Sequence, residues 1–328
     1  MLKLIIFDAG KVFVHTDWEK MTQDLAEYLG TSKRNLDGLF KRHTIEFQTG
    51  KMKQIDFYAR YFPRHSPKKA LQKDLENYSK HSRLDNKIIE LVEGLHAKYR
   101  VICFTNTEQE IGRHLEKKGV FNSFDKTYYS DRIGLKKPDK EAFLHILKME
   151  KVESHETLII DDDKRNIIAA KRLGLKTIQF QNLEHLKMEL IRMKIMEHSA
   201  GGIIVNGDKV LLSVSMKKKP FKAITFPKGH VDADEEVLEA AYREIHEETG
   251  LEMSDMALIK DLGSYYRLDG VSGNPKEISM FLFVARNINP KPLDKENPSA
   301  FWVKKKDVLK TLTIKEDKEF WSKWQSKL

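Results

Sequence analysis

A short acidic stretch constrains this chain more than any other part of it. Gly229 opens a loop that runs to Glu235. Seven residues later comes Arg243-Glu244-Ile245-His246-Glu247-Glu248-Thr249-Gly250-Leu251. Residues 236–248 read as a helix, since acidic residues at its start complement the helix dipole and Gly250 follows as a stop. Glu244, Glu247 and Glu248 are spaced i, i+3 and i+4, so they share one face. Three carboxylates on one face repel unless a cation sits among them, and carboxylate oxygens are the ligands that Mg2+ and Mn2+ prefer. A solvated acidic face is the plain alternative for any glutamate-rich helix. Against it stand nine patterned positions within residues 229–251. Pro227-Lys228 just ahead supplies a turn and a cation, which makes Lys228 a candidate for binding substrate.

This segment resembles the Nudix box, a glycine, a glutamate and an Arg-Glu-aliphatic-x-Glu-Glu-x-Gly-aliphatic run at fixed spacing, and it matches every fixed position. The resemblance implies an α/β/α sandwich and hydrolysis of a nucleoside diphosphate linked to some group X. It implies that Glu244, Glu247 and Glu248 bind the metal, that Gly229 adds a backbone carbonyl, and that Glu247 and Glu248 are catalytic. Arg243 and Glu235 are expected to form an ion pair that holds the loop on the helix. The string Phe226-Pro-Lys-Gly-His-Val231 resembles members that cleave dinucleoside polyphosphates or diphosphoinositols, and also mRNA-decapping members. Tyr265 and Tyr266 are candidates to stack on a base; packing as ordinary aromatics is the other reading. Lys276 and Glu277 adjoin an apolar strand over 278–285 and either face the substrate or end that strand.

The chain has 328 residues, which suits two domains. The first part alternates apolar runs (2–7, 101–104 and 158–160) with helical stretches (87–98, 140–150 and 166–173). Wholly apolar strands between helices predict a doubly wound, Rossmann-like α/β sheet covered on both faces. Residues from about 15 to 85 interrupt that alternation and read as a helical insertion over the sheet. Residues 183–198 carry Leu183, Leu186, Leu190 and Ile191 on one face and read as a linker helix. Asn206-Gly207 between the apolar runs 202–205 and 209–214 predicts a hairpin. The expected domains are therefore 1–182, with the insertion at about 15–85, and 199–328.

In an open α/β sheet the ligand site lies beyond the carboxyl ends of the strands. Asp8, Thr105 and Asp161-Asp162 each follow one of the three apolar runs, and Lys137-Pro138 lies in a polar loop. A carboxylate can act as nucleophile through an acyl-phosphate. Thr105 and Lys137 suit phosphate oxygens, and Asp8, Asp161 and Asp162 suit Mg2+. Singly these are a turn cap, a strand end, a solvated lysine and a helix cap. In order they resemble the haloacid dehalogenase (HAD) superfamily. The matching strings are Phe7-Asp8-Ala-Gly-Lys-Val12, Phe104-Thr105-Asn106-Thr107, Gly134-Leu-Lys-Lys137-Pro138-Asp139 and Ile160-Asp161-Asp162-Asp163-Lys-Arg-Asn166. The resemblance implies that Asp8 is the nucleophile, Thr105 and Lys137 are catalytic, Asn106 binds substrate, and the insertion is a cap that chooses the substrate. It departs at Gly10, where such phosphatases usually carry a second Asp as general acid and base; Asp161-Asp162 favours a phosphatase over a dehalogenase.

Three functions follow as alternatives. The first is a bifunctional Mg2+- or Mn2+-dependent hydrolase of nucleotide-like small molecules. In it the second domain splits a pyrophosphate (a dinucleoside polyphosphate, ADP-ribose or similar) and the first removes a phosphate. The second is an RNA 5′-end or cap pyrophosphohydrolase whose first domain is a weak phosphatase or scaffold. The third is a non-enzymatic nucleotide sensor. The net charge of +9 sits in the first part: 37 basic and 29 acidic residues in 1–200, against 21 and 20 in 201–328. Such a surface attracts polyanions, RNA included, or is simply solvated. The short clusters Lys217-Lys218-Lys219 and Lys304-Lys305-Lys306 read as loop tips. No apolar run reaches the ~20 residues of a membrane span. Cys103 is the one cysteine, which suits a reducing cytoplasm, and the sequence points to no protein partner.

Overall fold

The computed structural model describes residues 1–218, 221–232, 234–286, 290–291, 293 and 299–328; the side chains of 216–218 and 221–222 lie outside the description. The chain divides into two compact units, Met1–Glu189 and Leu190–Leu328.

The first unit runs β1 (Leu4–Phe7), β2 (Val14–Thr16), α1 (Trp18–Leu29), α2 (Lys33–Gln48), α3 (Gln54–Tyr61), α4 (Pro67–His81), β3 (Ser82–Leu84), α5 (Asn86–Leu95), β4 (Arg100–Thr105), α6 (Gln109–Lys117), β5 (Lys126–Tyr129), α7 (Ser130–Ile133), α8 (Lys140–Glu150), β6 (Thr157–Asp161), α9 (Lys164–Arg172), β7 (Lys176–Gln179) and α10 (Leu183–Arg192), which crosses into the second unit. Five strands form a parallel sheet in the order β5-β4-β1-β6-β7. The apolar runs are its three central strands. All four residues of β1 and all five of β6 are buried, as strands covered on both faces require. The reversal of strand order around β1 puts the ends of β1, β4 and β6 side by side. The insertion is the four helices α1–α4, held between the paired strands β2 and β3. It has its own core around Leu25, Leu36, Phe47, Phe57 and Tyr58, with Phe40 stacked on Phe57 at 5.2 Å.

The second unit runs β8 (Glu197–Asn206), β9 (Lys209–Lys218), β10 (Phe221–Thr225), β11 (Lys228–His230), α11 (Val237–Thr249), β12 (Met256–Leu268), β13 (Pro275–Ala285), β14 (Ser299–Lys304), α12 (Val308–Thr311) and α13 (Lys315–Trp324). Its seven-stranded sheet is mixed: β8 and β13 are parallel and the other pairs antiparallel. The β8–β9 hairpin turns at Gly207, whose positive φ of 57° is the conformation the Asn-Gly turn needs. Alternate residues of one strand serve opposite layers. Ile203 and Val205 join a core with Phe320 and Trp321 of α13, whereas Ala200 and Ile204 join Ala240, Ala241 and Ile245 of α11. The result is the expected α/β/α sandwich. Lys304 ends β14, and Lys305 donates to the Leu328 carbonyl at 2.6 Å. Of the other lysine cluster, Lys219 and the side chains of Lys217 and Lys218 lie outside the described residues. Among the described residues no helix is long and apolar enough to cross a membrane.

Candidate functional site

In the first unit Asp8, Thr105 and Asp161 sit at the ends of β1, β4 and β6, and the loop before α8 brings Lys137 among them. Lys137 is 1 % exposed; its ammonium donates to Asp8 Oδ1 at 2.8 Å and to Asp161 Oδ2 at 2.6 Å. Asn106 fixes that loop: its Nδ2 donates to the Lys137 carbonyl at 2.8 Å, and its Oδ1 accepts the Lys137 N–H at 2.9 Å. The Asp161 carboxylate accepts the Asp163 N–H and the Asn166 amide on Oδ1 and Lys137 and Asn166 on Oδ2. Burial opposes the Lys137 charge, but Asp8 and Asp161 outweigh it and hold its pKa above the ordinary lysine value. Burial pushes the Asp8 carboxyl up to about 6, with Lys137 working in the opposite direction.

Oxygens of Asp8, Asp161 and Asp162 lie within 4.8 Å of one another, a donor set suited to a hard divalent cation. Thr105, Asn106, Lys137 and Asp162 line one cleft of ≈ 850 Å³ with Asp8. Trp18, Lys41, Thr44, Gln48 and Tyr78 of the inserted helices line it as well. At Gly10 the site is open: a Cβ built there would meet only Asp8 Oδ2, at 3.9 Å.

In the second unit Gly229 lies against the acidic helix. A Cβ there would fall 1.8–2.3 Å from the Glu244 carboxylate, so only glycine lets that carboxylate reach the β11 backbone. Glu248 is 4 % exposed and accepts from Ser213 Oγ at 2.8 Å and the Lys228 N–H at 3.2 Å. Burial pushes its carboxyl up to about 7. Arg243 grips Glu235 through two bonds of 2.8 Å and donates to Glu244 at 2.8 Å; Glu247 Oε1 lies 3.5 Å from it. Arg243 also donates to the His230 carbonyl, which ties loop to helix.

Of the sequence candidates, Lys228 is engaged internally and Tyr265 takes the packed alternative. The Lys228 ammonium turns inward to Asp317 Oδ2 at 3.0 Å, the Phe226 carbonyl at 3.1 Å and Thr225 Oγ1. Tyr265 packs in the core against Phe320, its hydroxyl donating to Asp317 Oδ1 at 2.6 Å, so it presents no free ring face. Neither Tyr265 nor Tyr266 lines the cleft of ≈ 700 Å³ that holds Lys228, Gly229 and Glu248. Arg267, Lys276 and His230 line it instead. Lys276 is the second residue of β13. Its ammonium is 2.6 Å from Asp269, 3.3 Å from Glu197 and 3.0 Å from His230 Nε2. Glu197, His230 and Asp269 have the spacing of a cation site, and Lys276 reaches all three. Sequence reasoning missed Asp317, Ser213 and Arg267, which belong to no motif.

Residues 5–180 match the family described as haloacid dehalogenase-like hydrolase, and residues 196–324 match the NUDIX domain. The chain is 27 % identical over 204 residues to the D-ribitol-5-phosphate phosphatase of Bacteroides thetaiotaomicron, covering 58 % of this chain and 97 % of that protein. Its first unit shares the fold of a HAD family enzyme from the same organism, solved with magnesium and inorganic phosphate. The TM-score is 0.50 and the identity 21 %, over 57 % of this chain and 99 % of that one. A C. elegans Ap4A hydrolase solved as a binary complex aligns at 25 % identity and a TM-score of 0.35, covering 40 % of this chain and 96 % of that one. The chain belongs to the haloacid dehalogenase-like hydrolases and carries a NUDIX hydrolase domain behind that first domain.

Proposed function

We propose that the chain is a bifunctional, divalent-metal-dependent hydrolase: the NUDIX domain (199–328) splits a nucleoside diphosphate–X bond, and the HAD domain (1–182) removes the phosphate from a phosphomonoester. The observation that carries this is one arrangement met twice, an acidic centre at a cleft that cations also line. In the HAD domain Asp8 attacks phosphorus, an aspartyl-phosphate forms, the alcohol leaves, and water then releases phosphate. Lys137 holds Asp8 in place and balances charge on the phosphate oxygens. Thr105 and Asn106 shape the phosphate pocket. Asp8, Asp161 and Asp162 would hold Mg2+ or Mn2+, which supplies charge neutralisation between nucleophile and phosphate. Gly10 leaves protonation of the departing alcohol to water, so good leaving groups are favoured.

In the NUDIX domain the Gly229 carbonyl, Glu244, Glu247 and Glu248 would hold metal, and Glu247 and Glu248 receive the proton of the attacking water. Arg267 and Lys276 face the diphosphate from the same cleft. The name of the polyol-phosphate phosphatase relative supports a phosphomonoesterase in the first domain. The activities connect in series, because splitting a nucleoside diphosphate–X yields X-phosphate. Phosphate release is the test, measured with dinucleoside polyphosphates, ADP-ribose, FAD, capped RNA and simple monoesters, with Mg2+ or Mn2+. Glu248→Gln is expected to abolish only pyrophosphate cleavage, and Asp8→Asn only monoester hydrolysis. Unchanged monoester hydrolysis in Asp8→Asn sinks the phosphatase assignment.

A further inference from the structure

Beside the Asp8 cleft lies a smaller cavity of ≈ 230 Å³, and Trp18, Glu108 and Ile111 line both spaces. Met21, Phe40 and Asp74 line the smaller one. Its walls thus combine an indole, a phenyl ring and a thioether with two carboxyls. Asp74, on α4 of the inserted helices, is 1 % exposed. Its Oδ2 accepts from Tyr58 at 2.7 Å and Gln54 at 3.0 Å, while its Oδ1 is buried with no hydrogen bond. Glu108 precedes α6 and caps it without a side-chain hydrogen bond. Asp37 of α2 also lines the cavity, but it is paired with Lys33 at 2.9 Å. Among the described residues no lysine, arginine or histidine bonds to Asp74 or Glu108, and the other titratable groups coupled to Glu108 are Tyr58 and Tyr78, acids themselves. Burial raises the Asp74 carboxyl to about 6; burial and the neighbouring Asp74 raise that of Glu108 to about 8. A proton limits the charge of this pair where no cation does.

We infer that Asp74 and Glu108, with the rings of Trp18 and Phe40, receive an alkylammonium group on the leaving alcohol, so that the HAD domain acts on phosphomonoesters of amino alcohols. The inference rests on the phosphatase reading of Asp8. Two adjacent carboxyls without a counter-ion call for a cation, and an ammonium that enters displaces the Glu108 proton. Aromatic faces and a thioether suit a cation carried on alkyl groups. A hard divalent metal ion fits poorly, since it takes roughly six oxygen ligands and the walls around these two carboxyls are largely apolar. The reacting end favours the same class. An ammonium on the alcohol withdraws electrons from the departing oxygen, which offsets the acid that Gly10 does not supply. The reaction is ordinary hydrolysis: the P–O bond of the ester breaks, water supplies one oxygen to phosphate, and the amino alcohol leaves with a proton.

The test compares phosphocholine with its uncharged isostere 3,3-dimethylbutyl phosphate as substrates of the full chain with Mg2+. The wild type is expected to prefer phosphocholine in kcat/KM by about tenfold or more, the discrimination that a desolvated cation site produces. Asp74→Asn with Glu108→Gln keeps the side-chain shapes and removes both charges; it should collapse that ratio and leave the isostere's kcat/KM within about threefold. Calorimetry on Asp8→Asn at pH 7, in buffers of different ionisation enthalpy, reads binding apart from turnover. Phosphocholine is expected to release on the order of one proton more than the isostere, an excess that Glu108→Gln abolishes. A wild type that hydrolyses neither ester defeats the phosphatase reading, and the affinities and proton count on Asp8→Asn then decide the recognition alone. Equal handling of the two esters overturns the inference, as does a parallel fall on both in the double variant. So does a pentitol 5-phosphate preferred over phosphocholine. Choline that binds as tightly as phosphocholine would make the cavity a site for a free amine and overturn it as well.

Discussion

Gly229→Ala isolates the metal-cradle argument with a single methyl group. Gly229 has no positive φ, so the glycine is required by space and not by backbone conformation. The added Cβ would sit 1.8 Å from Glu244 Oε2, 2.0 Å from Cδ and 2.3 Å from Oε1, all far inside contact distance. The β11 backbone is paired to β8 and cannot retreat cheaply, so the Glu244 carboxylate must move by an ångström or more. That breaks its 2.8 Å bond to Arg243, while Arg243 keeps both bonds to Glu235. The obstructing atoms end a flexible side chain, so the cost to stability is that of modest overpacking, about 1–3 kcal/mol. The cost to chemistry is larger, since misplacing one reacting group by about 1 Å loses roughly 10²-fold. The assay is pyrophosphate cleavage across a Mg2+ titration, with monoester hydrolysis by the HAD domain as internal control. Expected are a roughly hundredfold loss of kcat/KM, a rightward shift in Mg2+ dependence and an unaltered control. Cleavage within about threefold of wild type would refute the claim that Gly229 exists to admit Glu244.

Three further outcomes follow. Asp317→Ala strips the buried Lys228 ammonium of its counter-ion and Tyr265 of its acceptor, which should cost about 3–5 kcal/mol in urea unfolding; Trp302, Trp321 and Trp324 make fluorescence a reporter of that unit, and a loss under 1 kcal/mol contradicts the ion-pair account. Lys137→Met leaves Asp8 and Asp161 facing each other uncompensated, so monoester kcat/KM should drop about 10²-fold or more with pyrophosphate cleavage intact, and a loss below threefold removes Lys137 from the reaction. For pH, the folded chain holds the Glu108 proton up to about 8, whereas the unfolded chain releases it near about 4.3, so this group's contribution to stability falls as pH rises between those values, by at most ~1.4 kcal/mol per unit; Glu108→Leu should therefore lose less stability than wild type between pH 5 and 8, and parallel stability curves would show Glu108 to be unshifted.

What could be read from sequence was whatever repeats locally. Strands buried on both faces leave uninterrupted apolar runs, and β1, β4 and β6 carry them. Because the sheet is parallel, their following residues have to meet, so the sequence alone brings Asp8, Thr105 and Asp161 together. The helix over 140–150 needed only its periodicity. The orientation of Tyr265 could not be read the same way. The β12–β13 register shifts between Asp261 and Ser264, and each such slip reverses which side chains face the core. Asp317 was invisible for another reason: it lies 89 residues from Lys228, on a helix whose own pattern says nothing of that contact. Glu108 sits between a strand end and a helix start, where no periodicity constrains its direction.

The two acidic centres differ in how far the protein neutralises them itself. In the HAD domain Lys137 is bonded to two of the three carboxylates, so Asp8, Asp161 and Asp162 together with Lys137 carry a net charge of −2, matched to one divalent cation. In the NUDIX domain the nearest cation is Arg243, which is shared among Glu235, Glu244 and Glu247, whereas Glu248 bonds to Ser213 and the Lys228 N–H. The Lys228 ammonium is committed to Asp317, and its charge also favours the ionised Glu248 carboxylate, against the larger opposing effect of burial. A buried group such as Glu248 then either keeps its proton or needs more positive charge beside it, in keeping with a carboxyl pushed up to about 7. The sequence expectation of one kind of divalent ion in both domains therefore covers two electrostatic settings: a lysine bonded to two carboxylates in the first, and an arginine shared among three in the second with Glu248 buried beside it.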